Sequence, residues 1–297
     1  MGTKIPWCDT TWNPVTGCTP VSEGCTNCYA LRMLGRNLPN HSGPAPTFHP
    51  DRLDAPLHWR KPRSVFVCSM GDLFHEAITD EQRDGVFAVM ALAPHLTFLA
   101  LTKRPEQMRE YVAGIGHADE MALGDIRWLT GEHRLGEQIG WPGDLLMRMR
   151  HLPGRNENWT YRPGEPGAPA ALEWSGDAEE PVIPWPLPNL WLGVTVESGA
   201  HRDRLIHLRN TPAAVRFVSI EPMLSPLPEL VLDGIDWLIL GGETGPGARP
   251  MRPEWALDVW RQCKAAGVPF FWKQGSKGIE YDAAMTATRE YPEAPHD

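Results

Sequence analysis

LWLGVTVESGAHRDRLIHLRNTPAAVRFVSIEP, residues 190–222, holds one full repeat of the fold. It opens on a continuous apolar run, Leu190 to Val196, and passes through a helix-like segment over roughly His201 to Leu208. It closes on a second apolar run, Val215 to Ile220. Neither run alternates apolar with polar residues, so each reads as a strand buried on both faces, as in a parallel sheet. Strand, helix, strand in that order is the repeating unit of an α/β fold.

The same rhythm extends in both directions. Upstream lie a short first strand around Thr11 to Val15 and the apolar run Ser64 to Met70 (SVFVCSM). A helix over Thr79 to Ala93 follows, with acidic residues in its first turn. Then come the buried strand Leu96 to Thr102 (LTFLALT) and a helix over Arg104 to Val112. Downstream are the strand Ile235 to Leu240, a helix over Pro253 to Ala266 with proline at its start and Gly267 after its end, and the strand Val268 to Trp272. The expected architecture is a partial TIM-type barrel of about six or seven parallel βα units. Between Val112 and Leu190 the rhythm fails, in sequence rich in Gly, Pro, Trp and charge. Residues 113–189 therefore read as a large insertion or lid, with one or two helices at most around 117–150, inside a barrel spanning 1–275. Residues 276–297 read as a peripheral polar tail.

Each apolar run ends in polar or charged residues. These are Ser69-Met70-Gly71-Asp72, Thr102-Lys103-Arg104, Glu197-Ser198, Glu221-Pro222, Gly241-Gly242-Glu243-Thr244-Gly245 and Lys273-Gln274. A single such end only caps the next helix or faces solvent. Several in register point to one pocket, because parallel barrels build their sites at the carboxyl ends of the strands. Lys103, Lys273, Glu221 and Glu243 are the candidate catalytic residues. Gly71, Asp72, Glu197, Gly241 and Gly242 are candidate contacts to a cofactor. Glycine after a strand lets backbone N–H groups approach a ligand. The segment from Gly241 to Gly247 has neither the spacing of a dinucleotide fingerprint nor a phosphate-loop lysine.

Near the amino end stand Cys18, Cys25 and Cys28, in the run TGCTPVSEGCTNCYA, residues 16–30. Three thiols this close suit a metal centre. A closed structural zinc site takes four ligands, so three leave one position open. Of the other cysteines, Cys68 and Cys263 fall in core-like runs, and Cys8 is a possible fourth ligand. The formal net charge of −9 removes any global basic footprint for nucleic acid, and the arginines of 147–155 read as solvated faces. The thirteen tryptophans read mainly as core and loop anchors, with Trp7 and Trp12 expected to pack together at the barrel's amino side. No apolar run approaches a membrane span and no leader pattern opens the chain, so a cytoplasmic location without membrane contact is expected.

Together the cysteine loop and the parallel βα units resemble the radical S-adenosylmethionine superfamily. The strings TWNPVTGC (11–18), GCTNCYA (24–30), FVSIEP (217–222) and GGETGPGARPM (241–251) resemble an uncharacterised phage-associated three-cysteine-motif family. The resemblance implies a 4Fe–4S cluster on Cys18, Cys25 and Cys28, with S-adenosyl-L-methionine on the fourth iron. It implies an external electron donor and a 5′-deoxyadenosyl radical that abstracts hydrogen from a substrate, with a nucleobase, nucleotide or nucleic acid as the candidate. Tyr29, after the third cysteine, becomes a candidate cofactor contact. The pattern departs from the usual one in three places: six residues separate Cys18 from Cys25, Asn27 stands where an aromatic residue is usual, and Ser69-Met70-Gly71-Asp72 stands where a glycine-rich strand end is usual.

Two other readings stay open. In one, zinc held by the triad with Cys8 or His41 staples a non-enzymatic interaction module. In the other, two of Glu197, Glu221 and Glu243 serve a barrel hydrolase as acid and nucleophile.

Overall fold

The computed structural model describes residues 3–35, 43–115, 120–122, 159–162, 171–174 and 182–293. Seven strands form one sheet: β1 (Thr10–Trp12), β2 (Arg63–Val67), β3 (Leu96–Thr102), β4 (Leu190–Thr195), β5 (Val215–Ile220), β6 (Trp237–Gly241) and β7 (Phe270–Gln274). They pair in chain order and all are parallel, and the sheet curls into a half-barrel. The register sets Thr102 beside Val194 and Thr195 beside Ser219, so the carboxyl ends of the strands finish side by side.

Both faces of the sheet are apolar, which is why its strands read as unbroken runs. On the inner face Phe66, Leu99, Trp191, Phe217, Trp237 and Phe271 gather around Trp7. Trp7 lies 4.6 Å from Phe66 and 6.4 Å from Trp237, ring centre to ring centre. This aromatic plug fills the half-barrel and makes a floor. On the outer face Val65, Phe98, Val194, Val218 and Leu238 belong to the larger core beneath the helices. The expected Trp7–Trp12 pair is split between these cores. Trp12 stands on the outer side, its ring 5.8 Å from Phe98 and its Nε1 donating to the Arg52 carbonyl.

The helices are α1 (Tyr29–Leu34), α2 (Asp80–Ala91), α3 (Pro105–Ile115), α4 (Arg204–Arg209), α5 (Pro253–Ala266) and α6 (Ala283–Ala287). Thr79 and Gln82 close a reciprocal capping box on α2. Proline opens α5, and Gly267 ends it at φ 70°, a left-handed conformation natural to glycine. The helix expected over 201–208 is a 3-10 turn, Gly199–His201, followed by the shorter α4. The first strand is also shorter than expected, because Val15 and Thr16 leave the sheet to pair antiparallel with Phe48 and Thr47.

Within the expected insertion, Glu120–Ala122 pairs antiparallel with Val182–Pro184, and Trp159–Arg162 with Ala171–Trp174. Apart from residues 120–122, the helices expected around 117–150 lie outside the described residues, as do the arginines of 147–155. The segment expected as a peripheral tail makes specific contacts. Met285 is buried, the Glu290 carbonyl accepts from Trp237 Nε1, and Tyr291 stacks 5.3 Å from Trp237.

Candidate active site

A cavity opens over the aromatic plug at the carboxyl edge of the sheet. Trp7 and Phe66 form part of its floor. Cys18, Cys25 and Cys28 all line it, with Tyr29, Gly71, Asp72, Lys103, Glu221, Gly242, Glu243 and Lys273. Of the strand-end and cysteine-loop candidates, Glu197 and Gly241 stand outside the lining. Glu197 is fully buried just behind it, and Gly241 packs against Gln274 and Glu221.

The chain reaches this edge through a sharp turn after β2. Cys68 there adopts φ 57°, a left-handed conformation that costs a non-glycine residue about 1–2 kcal/mol. The cysteine loop is fastened to this turn by a bridge between Gly17 and Gly71, with Gly17 N–H donating to the Met70 carbonyl over 2.9 Å. Gly17 sits at φ 83°, and a β-carbon on it would fall 2.0 Å from the Ala45 carbonyl oxygen. No other residue fits there.

Three carboxylates at the strand ends are each matched to a cation. Glu197 binds Lys103 Nζ at 2.8 Å, Arg204 Nη1 at 2.8 Å and Ser22 Oγ at 2.7 Å. Burial alone would raise its pKa, but Lys103 and Arg204 outweigh burial and hold it below the usual carboxylate range. Glu243 takes three N–H groups of Arg249 and one of Asn27, the last at 3.0 Å. Burial works against these bonds, yet they lower its pKa to about 2. Glu221 accepts from Lys273 Nζ and from Gln274 Nε2. Glycosidic acid catalysis needs a carboxyl whose pKa is raised. Glu197 and Glu243 are shifted the opposite way.

Asp72 is a brace. Its Oδ1 accepts from Thr102 Oγ1 at 2.7 Å and its Oδ2 from Arg104 at 3.2 Å, which ties the end of β2 to the end of β3. Tyr29 Oη donates to the Ser69 carbonyl and so holds α1 against the same turn. Sequence reading passed over Arg104 and Asn27. Arg104 Nη1 donates to Cys18 Sγ over 3.4 Å, and Asn27 ties the cysteine loop to the loop after β6. Their partners lie tens to hundreds of positions away, and no local spacing marks them.

None of the six cysteines is in a disulfide. Burial, then the Asp72 charge, push the Cys18 thiol up to about 11, against the pull of Arg104. It must therefore release its proton to solvent or a base when it binds a metal. Cys8 lines a different cavity at the amino ends of the strands, with Asp9, Trp191 and Tyr291. His41, the other candidate fourth zinc ligand, lies outside the described residues. Among the described residues no three Cys, His, Asp or Glu side chains are drawn together as a single-ion site.

A family model described as a protein of unknown function, DUF5131, matches residues 2–293. The chain belongs to the DUF5131 family. No curated protein and no solved structure matches it. Among the described residues of this DUF5131 chain, no helix is long and apolar enough to cross a membrane.

Three free cysteines in one cavity are the donor type that an iron–sulfur cluster takes. Around one zinc ion the sulfurs must approach to about 3.8 Å of one another. In a 4Fe–4S cluster each cysteine holds a different iron, so the thiolates stand farther apart around a larger object.

Proposed function

We propose that this chain is an iron–sulfur enzyme of the radical S-adenosylmethionine type, with Cys18, Cys25 and Cys28 as the cluster ligands. One observation carries the reading: these three thiols line the same cavity as Lys103, Glu221, Glu243 and Lys273, at the carboxyl edge of a parallel half-barrel. When bound, a 4Fe–4S cluster and S-adenosyl-L-methionine supply a one-electron reductive cleavage that yields a 5′-deoxyadenosyl radical for hydrogen abstraction. The electron comes from an external donor.

The chain's own residues bind, orient and seal. Trp7 and Phe66 close the cavity from below and keep water from a reactive centre. The Lys103–Glu197 and Lys273–Glu221 pairs place ammonium and carboxylate groups together at the strand ends. Such paired charges suit a zwitterionic ligand like an amino acid moiety, whose carboxylate and ammonium groups can enter the same network. Gly242 lines the cavity beside them, its N–H donating to the Gln274 carbonyl and its own carbonyl accepting from Gln274 Nε2. A nucleobase or nucleotide is the proposed substrate class, in keeping with the phage-associated resemblance.

The test is anaerobic reconstitution with iron and sulfide. The reading expects iron, labile sulfide and visible cluster absorbance in the wild-type chain, and their loss in Cys25→Ala. A wild-type chain that takes up no iron, or a Cys25→Ala chain with full absorbance, would end it.

A further inference from the structure

Arg104 stands two residues past the end of β3, and only 5% of its surface is exposed. Its guanidinium has five N–H donors, and each has a partner. Nε donates to Glu76 Oε2 at 2.8 Å. Nη1 donates to Asp72 Oδ2 at 3.2 Å and to Cys18 Sγ at 3.4 Å. Nη2 donates to the Thr19 carbonyl at 3.2 Å and to Thr19 Oγ1 at 2.8 Å.

Around this fork the remaining polar groups are also fixed. The Ala77 N–H donates to His75 Nδ1 over 3.0 Å, so the neutral His75 ring carries its proton on Nε2 and donates that to Thr19 Oγ1 at 2.8 Å. The first arm of the cysteine loop is thus held by two side chains from the barrel edge, one of them a buried cation touching sulfur. Among the described residues, Cys25 Sγ has only a weak neighbour, Ser22 Oγ at 3.7 Å, so the three thiols are not equivalent.

We propose that Arg104 is the positioning residue for the Cys18 sulfur: its planar fork fixes the Cys18–Thr19 arm on the end of β3, and its N–H group on the sulfur makes a cluster held there easier to reduce. This rests on the cluster reading above. A hydrogen bond to a ligand sulfur, and a fixed positive charge beside it, both favour the state that carries one more electron. The added electron comes from the external donor; no bond at Arg104 forms or breaks. Lysine at this position keeps a charge but loses the five-donor fork.

The experiment is a dithionite redox titration, followed by electron paramagnetic resonance, of the full chain and of Arg104→Lys and Arg104→Gln, each reconstituted anaerobically. Iron, sulfide and melting temperature are measured alongside. Both variants are expected to be harder to reduce, Arg104→Gln more so. The expected shift is about tenfold in the ratio of reduced to oxidised cluster at a fixed potential, ~59 mV for a one-electron couple. If Arg104→Gln fails to fold, Arg104→Lys carries the comparison. Loss of the cluster from an Arg104→Lys chain that still melts cooperatively also supports the assignment. A full cluster with unchanged potential in a folded variant overturns it, and leaves the cluster reading standing. A wild-type chain without iron overturns both.

Discussion

Asn27 Nδ2 donates to Glu243 Oε2 over 3.0 Å, joining the residue before the third cysteine to a loop 216 positions later. The same nitrogen donates to the Gly247 carbonyl, and Arg32 of α1 reaches the carbonyls of Thr244 and Pro246. The glycine-rich loop after β6 therefore serves first as a clasp for the cysteine loop, which closes the open side of the half-barrel.

Glu243 should make acid stability measurably dependent on this clasp. Its folded pKa, about 2, lies below its ordinary 4.5. Its contribution is thus present above pH 4.5 and lost as pH falls toward 2. Glu243→Gln should cost about 1–3 kcal/mol at pH 7, with the difference shrinking to nothing near pH 2. Denaturant midpoints across that range check it; a difference independent of pH would contradict the assignment.

Asp84 should act with the opposite sign. Burial raises its pKa from 3.8 to about 6, with Asp80 and Glu81 adding to the rise and the Tyr111 hydroxyl opposing it. Tyr111 Oη donates to Asp84 Oδ1 at 2.8 Å. The folded chain keeps a proton between those values that the unfolded chain loses, so stability falls as pH rises through that window. Asp84→Asn keeps an acceptor for Tyr111 and removes the charge. It should raise stability at pH 7 by on the order of 1–3 kcal/mol and change little at pH 3.5. Thermal melts at the two pH values decide.

Gly24 should tolerate no side chain. A β-carbon there would meet Glu197 Oε1 at 2.4 Å, and that carboxylate is locked by Lys103 and Arg204. Gly24→Ala is expected to lose about 1–3 kcal/mol through overpacking and to bind less iron on reconstitution, because Cys25 is the next residue. Wild-type stability in this variant would mean that the Glu197 network yields easily.

The carboxyl-terminal segment should be needed for the fold. Removing residues 276–297 takes away buried Met285, the Tyr291 stack on Trp237 and the Glu290 acceptors for Trp237 Nε1 and Phe270 N–H. A loss on the order of 3 kcal/mol or more is expected from the lost burial and the two orphaned donors. Urea unfolding of the truncated chain tests this, and an unchanged midpoint would make the segment dispensable.

The strands were legible because both faces of this sheet are buried. Leu96–Thr102 and Val215–Ile220 read as mainly apolar runs with the bounds they have in the structure. Helix α5 was legible for a local reason, its proline at the start and glycine past the end. The strand ends could be placed together because parallel register leaves little choice. What stayed hidden depends on distant partners. Trp7 and Trp12 look alike in sequence, yet strand parity and a loop send one inside the half-barrel and one outside. Arg104 reads as one more polar residue before a helix, and its role exists only once Thr19, Asp72 and Glu76 are around it. The carboxylates were visible, but their pairing with Arg204, Arg249 and Lys273 was not.

The central claim is that three cysteines hold a cluster with one iron left open for S-adenosyl-L-methionine. The most direct test is the electron paramagnetic resonance spectrum of the anaerobically reconstituted, dithionite-reduced chain, recorded with and without S-adenosyl-L-methionine. A 4Fe–4S signal whose g-values shift when S-adenosyl-L-methionine is added is expected, lost in Cys18→Ala, Cys25→Ala and Cys28→Ala and kept in Cys8→Ala. A chain that holds one zinc and no sulfide, or a cluster signal indifferent to S-adenosyl-L-methionine, would contradict it.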